Sequence, residues 1–165
     1  MNKKIISHLG VIAWMVVIFC FSAQPGDTSS DVSGSISHLF MQIWNWIFQL
    51  DWDAAKVLEM AEVWDYPIRK LAHMTEFGIL AALVFGAIKY YPQVDTMRKR
   101  YVGAWMVAVV YAATDEFHQR FVPDRSGNLV DVCVDATGAV IALLLVAAVR
   151  VVFEKYVFKK CKRGN

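Results

Sequence analysis

An all-α fold is what this sequence predicts: a polytopic membrane protein with four transmembrane helices in a bundle. An extracytoplasmic loop carries an interfacial helix, and both termini are cytoplasmic. Three observations predict it. The 165 residues are 57% hydrophobic, only 19% charged and positive in mean hydropathy, which is too apolar for an ordinary small soluble domain. The charges fall in blocks, and the apolar runs between them approach the ~20 residues that a bilayer requires. Finally, with a cytoplasmic N-terminus, twelve of the 17 basic residues fall on the inner side: Lys3 and Lys4, Lys89 and Arg98 to Arg100, and six from Arg150 onward. Lys56, Arg69, Lys70, Arg120 and Arg125 remain outside. The positive-inside rule is satisfied by four spans. The formal net charge of +2 says little beside this sorting.

Residues 5–21 form the first expected span. They could pass for a signal peptide, but Phe21-Ser22-Ala23 lacks a small residue at both cleavage positions, which favours an uncleaved anchor. Residues 24–35, QPGDTSSDVSGS, read as a polar, turn-rich linker. Residues 36–50 are apolar but short for a span, and Trp44 and Trp46 suit a headgroup boundary, so an interfacial or re-entrant helix is expected. Residues 53–64 suggest a short amphipathic helix. A lid over the bundle with no chemistry fits this outer loop, residues 22–70, equally well. The second span covers residues 71–91, after Pro67 in the first turn and Asp65 as its cap. The third covers residues 101–117. The fourth, 129–153, is interrupted near its start by Asp131 and Asp135. The whole chain, 1–165, is taken as a single domain without an internal repeat. Cys20, Cys133 and Cys161 have no metal-ligand spacing. A Cys20–Cys133 bridge is conceivable, and buried, reduced thiols are the preferred expectation.

Polar residues then line up at helical spacing. Arg69, Lys70, His73 and Glu76 occupy about a third of the second helix's circumference. Tyr111, Asp115 and Gln119 share a face of the third, flanked by Glu116 and His118. Asn128, Asp131 and Asp135 share a face of the fourth, and Gly138 continues it as a close-packing point. All three faces lie at the outer helix ends. A central Asp costs about 3 kcal/mol even on insertion scales, so Glu76, Asp115, Glu116, Asp131 and Asp135 are expected to pair with Arg69, Lys70, Arg120, Arg125 and the histidines, or in part to be protonated. Intramembrane charges mark functional sites by default, and the set predicts a water-accessible polar pocket roofed by the first loop. Ion pairs that only fix helix order and register are the alternative.

Three stretches carry a resemblance: FSAQPG (21–26), RKLAHMTEFGIL (69–80) and DEFHQRFVPDRSGNLVDVCVDATG (115–138). Together they resemble the VanZ-like family of membrane proteins, associated with resistance to glycopeptide antibiotics and to teicoplanin in particular. The resemblance covers residues 5–149, and its most specific part is the last stretch. Its pattern falls on Ser22, Gln24, Lys70, His73, Glu76, Asp115, Glu116, Gln119, Arg125, Asp131 and Gly138. Asp124 stands where the family often has Gly, and Asp135 where Asn is common, which puts in doubt any mechanism that needs an amide there. The resemblance implies an envelope-facing membrane protein and supplies no established reaction.

An enzyme, a binding module and a transporter are all compatible with these residues. Candidate catalytic groups are Lys70, His73, Glu76, Asp115, Glu116, Gln119, Arg125, Asp131 and Asp135. The carboxylates and His73 would serve as acids or bases, while Lys70 and Arg125 would hold a phosphate or carboxylate. Ser22, Gln24, Arg69, Asn128 and Tyr111 are candidate binding groups. DRSGN is no GxSxG elbow, so Ser126 is read as a turn residue. His73 and Glu76 stand at i, i+3, but the paired Glu-x-x-His repeat of bundle metal sites is missing, so neither a metal nor a cofactor is assigned. A binding or shielding module would hold a lipid headgroup, a peptide terminus or an antibiotic without chemistry. A proton-coupled transporter would relay through Glu76 and Asp135, although four spans without inverted repeats speak against it unless the protein oligomerises. Expected partners are membrane lipids and a cell-envelope small molecule or lipid-linked ligand in the outer leaflet. A homo-oligomer stays open. Nucleic acid is not supported, because the basic tail after Phe153 reads as juxtamembrane charge facing lipid. The expected location is the cell membrane, with multiple passes.

Overall fold

A computed structural model describes residues 2–163, with side chains described to residue 156; Cys161 and the tail lysines lie outside the described side chains. It contains five helices: α1 (Lys3–Ser22), α2 (Gly26–Phe48), α3 (Ala54–Ile88), α4 (Met97–Gln119) and α5 (Leu129–Arg163). There are no strands among the described residues. Three helices, α1, α3 and α5, are long and apolar enough to cross a membrane. The fourth expected span, α4, falls short of that standard. Its apolar middle is hemmed in by Arg98, Lys99 and Arg100 at one end and Asp115 and Glu116 at the other.

Packing contacts fix the helix directions. Lys70 meets Asp131, Gly78 meets Gly138 and Ala142, and Phe85 lies under Arg150. The numbers rise together, so α3 and α5 run parallel. Trp14 donates to the Glu76 carbonyl and His8 bonds Tyr91, which makes α1 antiparallel to α3. Tyr111 donates to the Met15 carbonyl and Ser22 to Asp115, so α4 runs alongside α1. A core of Ile18, Phe77, Leu80, Ala81, Ala104, Ala108, Ala112 and Ala139 joins all four. The alanines of α4, spaced by four, present one flat stripe that lets its neighbours approach closely. Gly138 does the same for α5: a Cβ there would run into the Met74 backbone. This confirms the close-packing point expected from sequence.

Two expectations about the outer loop are corrected. The expected 24–35 linker is helical from Gly26 onward and forms the first half of α2. Its serines do not compete with the helix, because Ser30, Ser33 and Ser35 donate back to the Gly26, Ser30 and Asp31 carbonyls of the same helix. Likewise, residues 53–64 are not a separate helix. With Asp53 capping the Lys56 amide, α3 begins at Ala54 and continues through Pro67. Asp65 therefore caps nothing; its carboxylate accepts from Ser37 of α2 and from Arg69. Met41 of α2 packs with Val57 and Ala61 of α3, and Ile68 and Trp52 lie against them. That antiparallel packing holds the helix together across the lost Pro67 donor. Asn45 closes the corner, donating to the Trp52 carbonyl and accepting from its amide. Cys20 and Cys133 are free thiols, and both are exposed rather than buried.

Candidate functional site

The polar faces of α3, α4 and α5 converge at the bundle end formed by the α1–α2 corner and the α4–α5 turn. The turn reaches the corner because Gly26 begins α2: its amide donates to the Pro123 carbonyl at 3.0 Å, and a side chain there would strike the Asp124 backbone. Arg125 completes the clasp. Its Nε donates to the Gln24 carbonyl at 3.1 Å and an Nη to the Phe21 carbonyl at 3.2 Å. Burial, then the neighbouring Arg69, lower the Arg125 guanidinium from its ordinary pKa. No carboxylate lies within ion-pair distance of Arg125 among the described residues.

A cavity of about 450 Å³ opens beneath this clasp. Arg69, Lys70, His73, Arg125, Glu116 and Asp135 are among its walls, with Gln119, Asn128 and Asp131. Lys70 Nζ and Asp131 Oδ1 are 2.5 Å apart and join α3 to α5 across it, and Tyr66 lies 5.2 Å from the same ammonium. Glu116 accepts from the Asn128 amide at 2.8 Å and so fixes the start of α5. Asp135 is 2% exposed and has neither a hydrogen bond nor an ion pair among the described residues. A second cavity of about 170 Å³ lies between α1, α2 and α3, lined by Gln24, Glu76, Arg69, His73 and Arg125 and by apolar residues. His73 Nδ1 and Glu76 Oε2 are 3.7 Å apart, and that carboxylate oxygen has no hydrogen-bond donor. The Arg69 Nε is likewise buried without a partner.

Not every predicted residue reaches a cavity. Ser22, Asp115 and Gln119 form a buried network in which Ser22 Oγ donates to Asp115 Oδ2 at 2.6 Å and Gln119 Nε2 at 2.9 Å. Only Gln119 of these lines a cavity. Tyr111 ties α4 to α1 through its hydroxyl and stands away from the polar cavities. The expectation that the carboxylates pair with cations holds for Asp131, which meets Lys70, and His73 lies beside Glu76, but it is corrected for Asp115 and Glu116. Asp115 and Glu116 are satisfied by neutral donors, and neither Arg120 nor Arg125 holds a carboxylate among the described residues. Donors without charge stabilise these acids at less desolvation cost than a second buried ion. His118 stacks on Phe19, with ring centroids 4.7 Å apart, and its Nδ1 is buried without a partner. Asp27, Ser30, Tyr66, Asp124 and Ser126 also line the larger cavity and are not among the site residues expected from sequence. Asp27 and Ser30 fall in the stretch that reads as a linker. The Pro-Gly step at 25–26 was the available signal, since only a glycine allows that approach to the α4–α5 turn. No cluster of three or more His, Cys, Asp or Glu among the described residues could hold a metal ion.

This architecture is that of an all-helical protein with membrane-length helices and a polar cavity at one end. A family model described as VanZ/LLP1 matches residues 9–151, and the chain belongs to that family. No curated protein and no solved structure matches it.

Proposed function

We propose that this VanZ family member is a four-span protein of the cell membrane, one domain over residues 1–165, with both termini cytoplasmic. Its polar cavity then opens outward and binds a cell-envelope molecule, either a lipid or a lipid-linked cell-wall intermediate. In that setting it contributes to glycopeptide resistance of the teicoplanin type. The observation that carries this reading is Arg125. It is a half-buried guanidinium held in place by two backbone carbonyls, with no carboxylate at ion-pair distance among the described residues, on a cavity wall shared with Arg69 and His73. Such an arrangement is suited to an external anion, because a phosphate or carboxylate can make the direct charge-assisted contact that no carboxylate among the described residues makes with Arg125. The test is mass spectrometry of lipids and small molecules that co-purify in detergent. A phosphate- or carboxylate-bearing envelope molecule should be retained by the native protein and lost from Arg125→Ala. Equal retention by Arg125→Ala, with the fold intact, rejects the site.

A catalytic version is favoured by Asp135. It is buried at the cavity wall without a partner among the described residues and four residues from Asp131, which has one, so the two carboxylates stand in unequal surroundings suited to acid–base work. Turnover of a lipid-linked substrate that vanishes in Asp135→Asn while binding persists would establish it. Product formation unchanged by that substitution removes it.

A further inference from the structure

The two polar cavities are joined by three residues that line both of them: Arg69, His73 and Arg125. Charge and polarity divide sharply across this seam. The larger chamber holds Asp27, Glu116, Asp124, Asp131 and Asp135 beyond the seam. The smaller is a slot lined by Phe21, Val32, Ile36, Ile68 and Ala72, with Glu76 its single carboxylate among the described residues. The arrangement is thus ordered: an apolar slot, a cationic seam and an acidic chamber.

We infer that the two chambers form one bipartite site for an amphiphile with an amine-bearing phosphodiester headgroup. This rests on the cavity being a binding site, as proposed above. The phosphodiester lies at the seam, where Arg125 has one terminal nitrogen without a partner among the described residues and Arg69 adds a second guanidinium to the wall. The free Arg125 nitrogen can donate to a phosphate oxygen. The ammonium projects into the larger chamber, where the carboxylates outnumber Lys70, itself already paired with Asp131. The first part of the acyl or isoprenoid chain occupies the slot under α2. The rest leaves between helices whose outward residues, Ile36 and Phe40 among them, are apolar and exposed. A headgroup with a neutral group in place of the amine would leave the chamber's carboxylates without a counter-charge, and one with a second negative charge would be repelled by them. The ligand is therefore zwitterionic rather than simply anionic.

The test uses the full-length protein in detergent and native mass spectrometry with lipids of identical chains. The three probes are a diacyl phosphoethanolamine, a diacyl phosphoglycerol and diacylglycerol; soluble glycerophosphoethanolamine serves as a fourth. The phosphoethanolamine lipid should bind about tenfold tighter than the phosphoglycerol lipid, a difference of one charged contact. Diacylglycerol and the soluble headgroup should bind more weakly than either lipid phosphate. In Asp135→Asn combined with Glu116→Gln the preference for the amine should disappear while lipid binding remains. Ala72→Leu narrows the slot without altering a charge, so it should weaken the lipid and leave the soluble headgroup unchanged. Arg125→Lys keeps the charge should Arg125→Ala fail to fold. Equal or tighter binding of the phosphoglycerol lipid overturns the zwitterion assignment but leaves the cavity as an anion site, provided binding still depends on Arg125. A soluble headgroup that binds as tightly as the lipid overturns the role of the slot. Lipid binding indifferent to both Arg125 and Ala72 overturns this inference and the cavity reading with it.

Discussion

At the scale of single residues, the polar positions were legible in the sequence but their partners were not. Helical spacing brought Lys70, Glu116, Asp131 and Asp135 to one place, and all four line one cavity. Which donor satisfies which acid depends on residues far apart in the chain. Ser22 lies 93 positions from the Asp115 it serves, and no local pattern encodes such a pair. Two backbone positions give direct tests. Gly138 faces the Met74 backbone with no room for a Cβ, and backbone cannot retreat as a flexible side chain would. Gly138→Ala should therefore cost about 1–3 kcal/mol, in the range of overpacked cores, and lower the thermal midpoint in detergent. Asp124 is the converse case. It stands where the family resemblance expects glycine, and its φ is 57°, in the left-handed region that a side chain enters at a cost. Asp124→Gly should leave the turn in place and change stability by less than about 1 kcal/mol. The gain from removing that cost is set against the added freedom of the unfolded chain. A loss of several kcal/mol in the same melting experiment would show that the Asp124 carboxylate holds the turn.

At the scale of elements, composition misled wherever tertiary packing outweighed local propensity. The segment TSSDVSGS looks like a linker because Ser and Gly favour turns, yet α2 runs through it with its hydroxyls turned back onto its own carbonyls. Pro67 looks like a helix start, yet α3 has already completed several turns before it. In both cases the supporting surface is the α2–α3 hairpin, whose contacts among Met41, Val57, Ala61 and Ile68 link residues that no single window includes. The consequence is measurable. Ser33→Pro would be harmless in a linker; inside α2 it removes a helical hydrogen bond and crowds the preceding turn, at a cost of ~3 kcal/mol. Circular dichroism should show lost helix and the melting midpoint should fall. Unchanged helicity and stability would return the segment to an irregular linker.

At the scale of the whole molecule, helix direction supports the proposed fourth crossing where hydropathy does not. α4 is the least apolar of the long bundle helices because Asp115, Glu116 and Gln119, all buried, belong to it, and by composition alone it does not qualify as a span. Yet α3 and α5 run parallel, as their rising contact pairs require. If both cross a membrane in the same direction, the chain between them must return, and α4 is the only helix between Lys89 and Leu129 that can carry it. Its core stripe of Ala104, Ala108 and Ala112, at 0–1% exposure, makes the low hydropathy tolerable, since close-packed neighbours cover that face and leave a smaller area to lipid. In the proposed topology the basic residues favour the inner side for the α3–α4 connection and both termini. Single cysteines test this on a chain with Cys20, Cys133 and Cys161 replaced by alanine. Glu59→Cys, on the exposed outer part of α3, should react in intact cells with a maleimide that does not cross membranes. Asn2→Cys and Asp95→Cys should react only after permeabilisation. Labelling of Asp95→Cys from outside along with Glu59→Cys would mean that α3 does not cross. It would leave α4 with no crossing to reverse and move the polar cavity away from the outer membrane face.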